Sequence, residues 1–293
     1  MRFGIREICD VVFRAKAKMT VGNKVFYKHE PVIYFDSLKT STLEGAATTV
    51  YAQGGRGNAR LAAWEGERTV TFTMEDALIS TLGLAILTGA GVVDAAPGKP
   101  VIQHITETAK VIDDNGSIVL KEVPHVIEDG HYIYVMKLDD HGNVESEPYI
   151  YEIEDGKTIK RATGVDVDDK APVKDNVVLV DYYTARTGNA QEITITADKF
   201  GGNFYVEAST LFRDAGTGVD MPAEFVIPNA KVQSNFNFNM ASSGDPSTFT
   251  FTMDAFPDYT RFNQEEKVFS AIQIITDAVA GDEDVRTRTA ANV

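Results

Sequence analysis

The chain has 293 residues, 43% of them hydrophobic and 24% charged, which is enough to bury a core in one large domain or two ordinary ones. No stretch reaches the ~18 apolar residues that span a bilayer, so we expect no membrane anchoring. The single cysteine, Cys9, excludes an intrachain disulfide and fits folding in a reducing cytoplasm. A formal charge of −15 repels phosphate, which argues against a protein that binds nucleic acid.

The amino-terminal part is predicted to be rich in strands. We expect strands at Ile8–Ala15 and, as one or two strands, at Val25–Phe35. Ser37–Glu67 is rich in small residues and glycine and predicts a long irregular loop, a kind of loop that is usually functional or disordered. In Thr69–Glu75, large apolar residues alternate strictly with threonine, which is the clearest strand pattern in the chain.

One helix is predicted, at Asp76–Leu87, with Gly89 and Gly91 as candidates for its end. The helix carries apolar side chains on nearly all of its faces and is too short to span a membrane. We therefore expect it to be buried against a sheet.

Residues 95–179 are predicted to be a small, surface-exposed domain inserted into a larger one. Residues 95–180 carry nine basic and 17 acidic side chains, and Gly-containing turns recur at short intervals. The turns separate short β-rich runs at Ile118–Val123, His131–Leu138 and Pro148–Ile153. Such spacing is typical of a small all-β sandwich. Residues 1–94 and 180–293 would then form one discontinuous β domain.

The last third of the chain returns to predicted strands, at Gln191–Ala197 and Phe204–Leu211. Asn235–Met240 and Thr248–Met253 alternate apolar residues with Asn or Thr and predict a hairpin. Its buried side would hold Phe236, Phe238 and Met240 opposite Phe249, Phe251 and Met253. The polar tail from Ala280 is expected to be mobile.

Three of these strands are apolar on one face and polar but uncharged on the other. An ordinary half-exposed antiparallel sheet has this pattern, and so does a sheet that curves around an aqueous bore. The glycine-rich segment and the acidic total favour the bore, and open sheet edges would allow copies of the chain to pair. The residues that could line the bore are Thr69, Thr71, Thr73, Asn235, Asn237, Asn239, Thr248, Thr250 and Thr252.

No group of residues in the sequence indicates catalysis, so we expect no enzyme activity and no cofactor. Gln53–Asn58 is glycine-rich but lacks the Gly-Lys-Ser/Thr of a phosphate-binding loop. Asp166–Asp169 resembles the start of a calcium loop, but Ala171 and Val177 replace its required Gly and Glu. A loose calcium site among the acidic turns stays open as an alternative. The five histidines lack metal-ligand spacing.

The order of several short motifs resembles that of phage major tail tube proteins. The motifs are Ser41–Gly45, Val50–Gly57, Trp64–Thr69, Phe72–Ser80, Thr196–Phe200, Phe225–Pro228, Ala230–Val232, Gly244–Ser247 and Phe249–Phe256. They lie within residues 1–94 and 180–260, and the middle of the chain matches nothing in that family. None of them is a catalytic signature.

The resemblance implies a mainly β fold: a tail-tube-type β-sandwich or barrel with one flanking α-helix, plus the small all-β inserted domain. It implies six subunits in a ring, with inner strands joined into one barrel, and rings stacked into a hollow tube through which DNA passes without specific binding. The segment 37–67 would contact the adjacent ring. The contact residues would be Glu44, Gly54, Gly55, Arg56, Gly57, Arg60, Trp64 and Arg68.

The partners implied by the resemblance are further copies of the chain and other tail proteins: a terminator, a baseplate or tip, and a sheath if the tail has one. The protein would belong to the virion and be assembled in the host cytoplasm. A capsid decoration or baseplate protein is the main alternative. A secreted carbohydrate-binding β protein is disfavoured by the single tryptophan, Trp64, and by the absence of a signal-peptide pattern in Met1–Phe13.

Overall fold

The computed structural model describes residues 2–276, apart from 6, 127–132, 165–169, 239, 241 and 244–246. The described part forms 19 strands and one helix, which makes the fold mainly β, as predicted. In chain order the elements are β1 (Phe3–Ile5), β2 (Asp10–Ala15), β3 (Met19–Val21), β4 (Lys24–Phe26), β5 (Pro31–Phe35), β6 (Leu38–Gly54), β7 (Ala59–Asp76), α1 (Thr81–Thr88), β8 (Gly91–Asp94), β9 (Val101–Lys110), β10 (Ile118–Val119), β11 (Ile133–Lys137), β12 (Tyr149–Asp155), β13 (Thr158–Arg161), β14 (Val177–Arg186), β15 (Gln191–Thr194), β16 (Asn203–Asp214), β17 (Asp220–Val232), β18 (Phe249–Ala255) and β19 (Ala271–Ile274).

The chain divides into two compact units. Unit 1 comprises Met1–Val92 and Ile193–Val293, and unit 2 comprises Val93–Glu192. The chain passes between the units within β8 and within β15. Unit 2 includes the whole of β14, because that strand pairs along its full length with β9.

Unit 1 is built on a nine-stranded antiparallel sheet with the strand order β5-β2-β16-β17-β18-β7-β6. The short strands β1 and β19 pair with β16 and β17 respectively. Among the described residues, β5 and β6 each pair on one side only, so they are the two edges of this sheet.

The sheet of unit 1 curls around an aromatic core. The ring of Phe35, on the edge strand β5, lies 5.0 Å from that of Phe251 on β18, although three strands separate β5 from β18 in the sheet. Phe13 on β2 lies between Phe35 and Phe204, at 5.1 and 5.4 Å. A flat sheet could not bring these rings together, so the sheet folds back on itself in the barrel-like manner expected from the sequence.

Helix α1 closes one side of this core. The hydroxyl of Ser80 accepts a hydrogen bond from the amide of Gly83 at 2.9 Å and caps the helix, and Gly89 ends it with a φ of 70°. Ile86 and Leu87 are buried in the core of unit 1, as expected. The helix begins later than predicted, because Asp76 still belongs to β7.

Unit 2 is a six-stranded antiparallel sheet in the order β10-β13-β12-β11-β14-β9. An isolated bridge between Val111, just after β9, and Ile118 of β10 brings the two ends of the sheet together, so the sheet curls around its core as a small all-β unit. Its core contains Tyr151, Tyr182 and Ile159. Asp166–Asp169, which resembles the start of a calcium-binding loop, and the tail from Ala280 lie outside the described residues.

The predicted hairpin near the carboxyl end is only half correct. Thr248–Met253 corresponds to β18, with Phe251 and Met253 fully buried. The prediction of a strand at Asn235–Met240 is wrong, since its described residues are irregular. Phe236, Phe238 and Met240 are 42%, 38% and 90% exposed rather than buried, because the neighbours of β18 are β7 and the end of β17.

Candidate assembly surfaces

The segment 37–67 is not an irregular loop, and that prediction is wrong. It forms β6 and the first half of β7, and these two strands pair with each other from Leu38 and Asp76 to Gly54 and Ala59. No proline interrupts the chain between Pro31 and Pro97. The residues of the turn supply the left-handed backbone that reverses the chain, with φ of 75° at Gly55, 86° at Gly57 and 50° at Asn58.

Among the described residues, no further strand pairs with the outer part of this hairpin. Strand β18 pairs with β7 only over Val70–Asp76, so residues 46–69 form an isolated two-stranded ribbon, here called the arm. At about 3.3 Å per residue the arm extends roughly 30 Å beyond the sheet. Nearly all of its residues are exposed. A two-stranded ribbon is only marginally stable in water, so an arm of this length is suited to being covered by another surface.

The two faces of the arm differ in chemistry. Val50 pairs with Trp64 and Ala52 with Ala62, so these four side chains form one apolar face. Val50 is 63% and Trp64 58% exposed. On the other face, the guanidinium carbon of Arg60 lies 4.0 Å from the ring centre of Tyr51.

The arm is also locally cationic. Residues 46–64 contain Arg56 and Arg60 and no acidic residue, in a chain whose net charge is −15. Arg68, further along β7, lies 3.8 Å from the exposed carboxylate of Glu65. That pair contributes little to stability, because water screens it.

The base of the hairpin continues into a face of the sheet that is lined with short polar residues, here called the polar face. The register places Thr73 between Thr42 and Thr252, and Thr71 between Glu44 and Asp254. Thr250 lies beside Glu75, which accepts hydrogen bonds from Thr40 and Thr248. The polar face consists of Thr40, Thr42, Glu44, Thr69, Thr71, Thr73, Glu75, Thr248, Thr250, Thr252 and Asp254.

Carboxylates outnumber cations on the polar face. It carries Glu44, Glu75 and Asp254, and the register adds one amine, Lys231, beside Asp254. The ammonium of Lys231 donates to the carbonyl of Gly201. The side-chain amide of Gln233 donates to both oxygens of Asp254, at 3.1 and 3.0 Å.

The structure thus divides the predicted site residues between two surfaces. Glu44, predicted to lie in the contact loop, lies on the polar face instead. The other predicted contact residues, Gly54, Gly55, Arg56, Gly57, Arg60, Trp64 and Arg68, lie on the arm or at its turn. Of the predicted bore-lining residues, Thr69, Thr71, Thr73, Thr248, Thr250 and Thr252 share the polar face.

Two predicted bore-lining residues are not part of this face. Asn235 and Asn237 lie in the irregular segment that precedes β18, and Asn239 lies outside the described residues. Sequence reasoning missed Thr40 and Thr42, whose alternation with Ser41 and Leu43 was hidden within the supposed loop.

Both sides of the polar face end in unpaired backbone. Among the described residues, no strand pairs with the outer side of β6. On the opposite side, β17 pairs with β18 only at Met253–Ala255, and the amide of Gln233 adds a bond to the carbonyl of Thr252. Phe249–Phe251 therefore has a free edge within the described part of the chain. Free edges of this kind are templates for pairing with another chain.

No helix in the described part of the chain is both long and apolar enough to cross a membrane.

No curated protein matches the chain. Residues 4–267 match the family described as the YomU/Tube protein family, a match that covers unit 2 as well as most of unit 1. This agrees with the resemblance of the sequence to tail tube proteins and with a mainly β fold that presents two surfaces suited to assembly. The chain belongs to the YomU/Tube protein family.

Proposed function

We propose that this protein is the repeating subunit of a phage tail tube, a structural component of the virion without catalytic activity. Copies join into rings, six to a ring as the tail tube resemblance implies, and the rings stack into a hollow tube through which DNA passes. The observation that carries the proposal is the arm, 46–69, a long exposed ribbon with an apolar face that pairs with no further strand in the described part of the subunit.

Within a ring, the free edge of β6 in one copy pairs with the edge of the next copy near Phe249–Phe251. Such pairing satisfies the backbone groups that the single subunit leaves open. It also makes the polar faces of neighbouring copies continuous, which gives the tube an inner wall of threonine with scattered carboxylates. That wall offers DNA little attraction, because it carries few cations to bind phosphate.

Between rings, the arm lies on the adjacent ring with its apolar face, formed by Val50, Ala52, Ala62 and Trp64, turned inward. The other tail proteins, namely terminator, baseplate or tip, and any sheath, bind at the ends or the outside of the tube. Residues 95–179 are proposed to be an inserted domain on the outer surface. Assembly takes place in the host cytoplasm.

Shortening the arm tests the stacking role directly. Ala46 and Thr69 are register partners, so residues 47–68 can be replaced by an Asn-Gly turn without disturbing the paired base of the hairpin. We expect electron microscopy to show tubes of the wild type at high concentration and no tubes of the variant. The variant should keep the thermal stability of the dispersed subunit, which serves as the control for folding.

Tubes from the shortened variant would contradict the stacking role. A wild type that stays monomeric would refute the proposed function altogether. Closed trimers or hexamers that never stack would instead indicate a decoration or baseplate protein.

The lumen assignment can be tested by chemical labelling. Cys9 is buried, so the variant Thr250→Cys presents one accessible thiol on the polar face. In the dispersed subunit, a small maleimide and a bulky polyethylene glycol maleimide should both react. In assembled tubes, only the small reagent should still react as fast as it does with the dispersed subunit. Equal reaction of the bulky reagent in both states would place Thr250 on an outer surface.

A further inference from the structure

Unit 1 contains a basic cleft that is separate from the arm and from the polar face. Its volume is about 350 Å³, and it opens between the end of β2, the turn before β5 and the segment 258–264. Among the described residues, the lining includes three cations, Lys16, Lys28 and Arg261, together with His29 and one carboxylate, Asp258.

Asp258 in the lining and the nearby Glu207 are already ion-paired. Lys16 contacts Asp258 at 2.5 Å. The nearly buried carboxylate of Glu207 is held by Arg14 at 2.6 Å and by Arg261 at 3.7 Å. In the described part of the chain, Lys28 forms no ion pair, so the cleft has an excess of positive charge.

The backbone at Lys28 is held in place by hydrogen bonds of the turn on either side of it. The amide of His29 donates to the carbonyl of Ala15 at 2.7 Å, and the amide of Tyr27 donates to the carboxylate of Glu30 at 2.7 Å. The pKa of His29 is lowered by desolvation and then by the charges of Arg261, Lys28 and Arg14, which is consistent with a positive potential at this place.

We infer that this cleft binds a carboxylate side chain of a second copy of the chain. The inference rests on the proposed function, since it concerns how the copies hold together. Each copy carries 43 acidic residues against 28 basic ones, so assembly brings net negative surfaces together and needs local sites of opposite charge. The cleft is large enough to admit a carboxylate side chain, and a chain of charge −15 repels DNA.

The test compares two charge reversals in full-length protein. Lys28→Glu alters the cleft, and Lys24→Glu alters an exposed lysine on β4 outside the cleft. Lys28→Glu should raise the critical concentration for tube assembly by about tenfold, as expected for one lost charge-assisted hydrogen bond per subunit. Lys24→Glu and the conservative Lys28→Arg should assemble at close to the wild-type concentration. All variants should show the thermal stability of the wild-type subunit.

A competing anion supplies an independent readout. Inorganic phosphate should raise the critical concentration of the wild type more than sodium chloride of equal ionic strength, and this difference should vanish in Lys28→Glu. If Lys28→Glu assembles at the same concentration as Lys24→Glu, the inference is overturned. The proposed function still stands in that case, provided that the wild type forms tubes. Failure of the wild type to assemble would overturn both. DNA binding by the dispersed wild type that is lost in Lys28→Glu would overturn the carboxylate assignment in favour of a phosphate backbone.

Discussion

Phe251 and Thr250 are adjacent on β18 and lie on opposite faces of the sheet. The side chain of Phe251 is fully buried against Phe35, whereas Thr250 is exposed on the polar face. At this scale the period-two pattern decides which side chains stabilise the subunit and which remain available for its surface.

Truncating these two neighbours should therefore have very different effects. Phe251→Ala should lower the free energy of unfolding by about 3–5 kcal/mol, because it removes a buried ring and leaves a cavity. Thr250→Ala should change it by less than about 0.5 kcal/mol. Urea unfolding of the dispersed subunit measures both, and similar losses in the two variants would contradict the assigned faces.

Tyr182 is a buried residue whose ionisation links stability to pH. Burial, together with the nearby carboxylate of Glu107, raises the pKa of Tyr182 from 10.0 to about 12. Its hydroxyl donates to Glu107 at 3.1 Å and accepts from the amide of Glu122 at 3.3 Å. Because the folded-state pKa is raised, the stability that Tyr182 contributes is complete below pH 10 and is lost as pH rises from 10 towards 12.

Tyr182→Phe should cost about 1–2 kcal/mol at pH 8 through the lost hydrogen bonds. The difference from the wild type should shrink as the pH approaches 12. Urea unfolding at a series of pH values measures this trend, with Tyr183→Phe, on the exposed face of β14, as the control. A difference that stays constant with pH would show that the hydroxyl does not titrate as proposed.

At the scale of elements, the same hairpin serves two purposes. Near its base, Phe72 and Met74 on β7 are buried in the core, while the outer half of the strand is exposed. The subunit thus anchors the arm firmly at one end and leaves the other end free for a partner.

Helix α1 ends where a glycine is required for two separate reasons. Gly89 has a φ of 70°, and a Cβ there would lie 2.5 Å from backbone atoms of Phe200. Gly55, in the turn of the arm, has a φ of 75° and nothing within 4 Å of an added Cβ. Gly89→Ala should destabilise the subunit by clearly more than Gly55→Ala, whose cost should be about 1 kcal/mol. Thermal unfolding of both variants measures the difference, and equal shifts would rule out the contact with Phe200.

At the scale of the whole molecule, each unit has a hydrophobic core of its own. In the described part of unit 2 the core contains twelve buried residues, among them Tyr151, Tyr182 and Val180. Its six strands pair among themselves, and both chain passages fall within short strands at its boundary.

Residues 93–192 expressed alone should therefore fold cooperatively. Circular dichroism during urea unfolding should show a single sharp transition, as expected for a small domain with one core. The matching deletion variant, in which Val92 is joined to Ile193 by a short flexible linker, should also unfold cooperatively. A gradual loss of signal in the isolated unit would show that its core is insufficient without the rest of the chain.

Local pattern was sufficient to predict the mainly β fold, the strand at Thr69–Glu75 with its buried face, and the single helix. These features depend on alternation, capping and turn residues that lie within a few positions of one another. Pattern also identified six of the eight threonines of the polar face, because period two is clear in Thr69–Glu75 and Thr248–Met253. It missed Thr40 and Thr42, which lie in the segment taken for a loop.

Whether a segment forms a strand also depends on its hydrogen-bond partners, and only the tertiary structure shows which segments have them. Asn235–Met240 and Thr248–Met253 alternate in the same way, yet only the second is a strand, because β7 and β17 supply its hydrogen bonds. Residues 37–67 lack a strong local pattern and still form long strands, because β6 and β7 satisfy each other's backbone. A sequence encodes which face of a strand is apolar, but its hydrogen-bond partners come from distant residues, and that choice is made only when the chain folds.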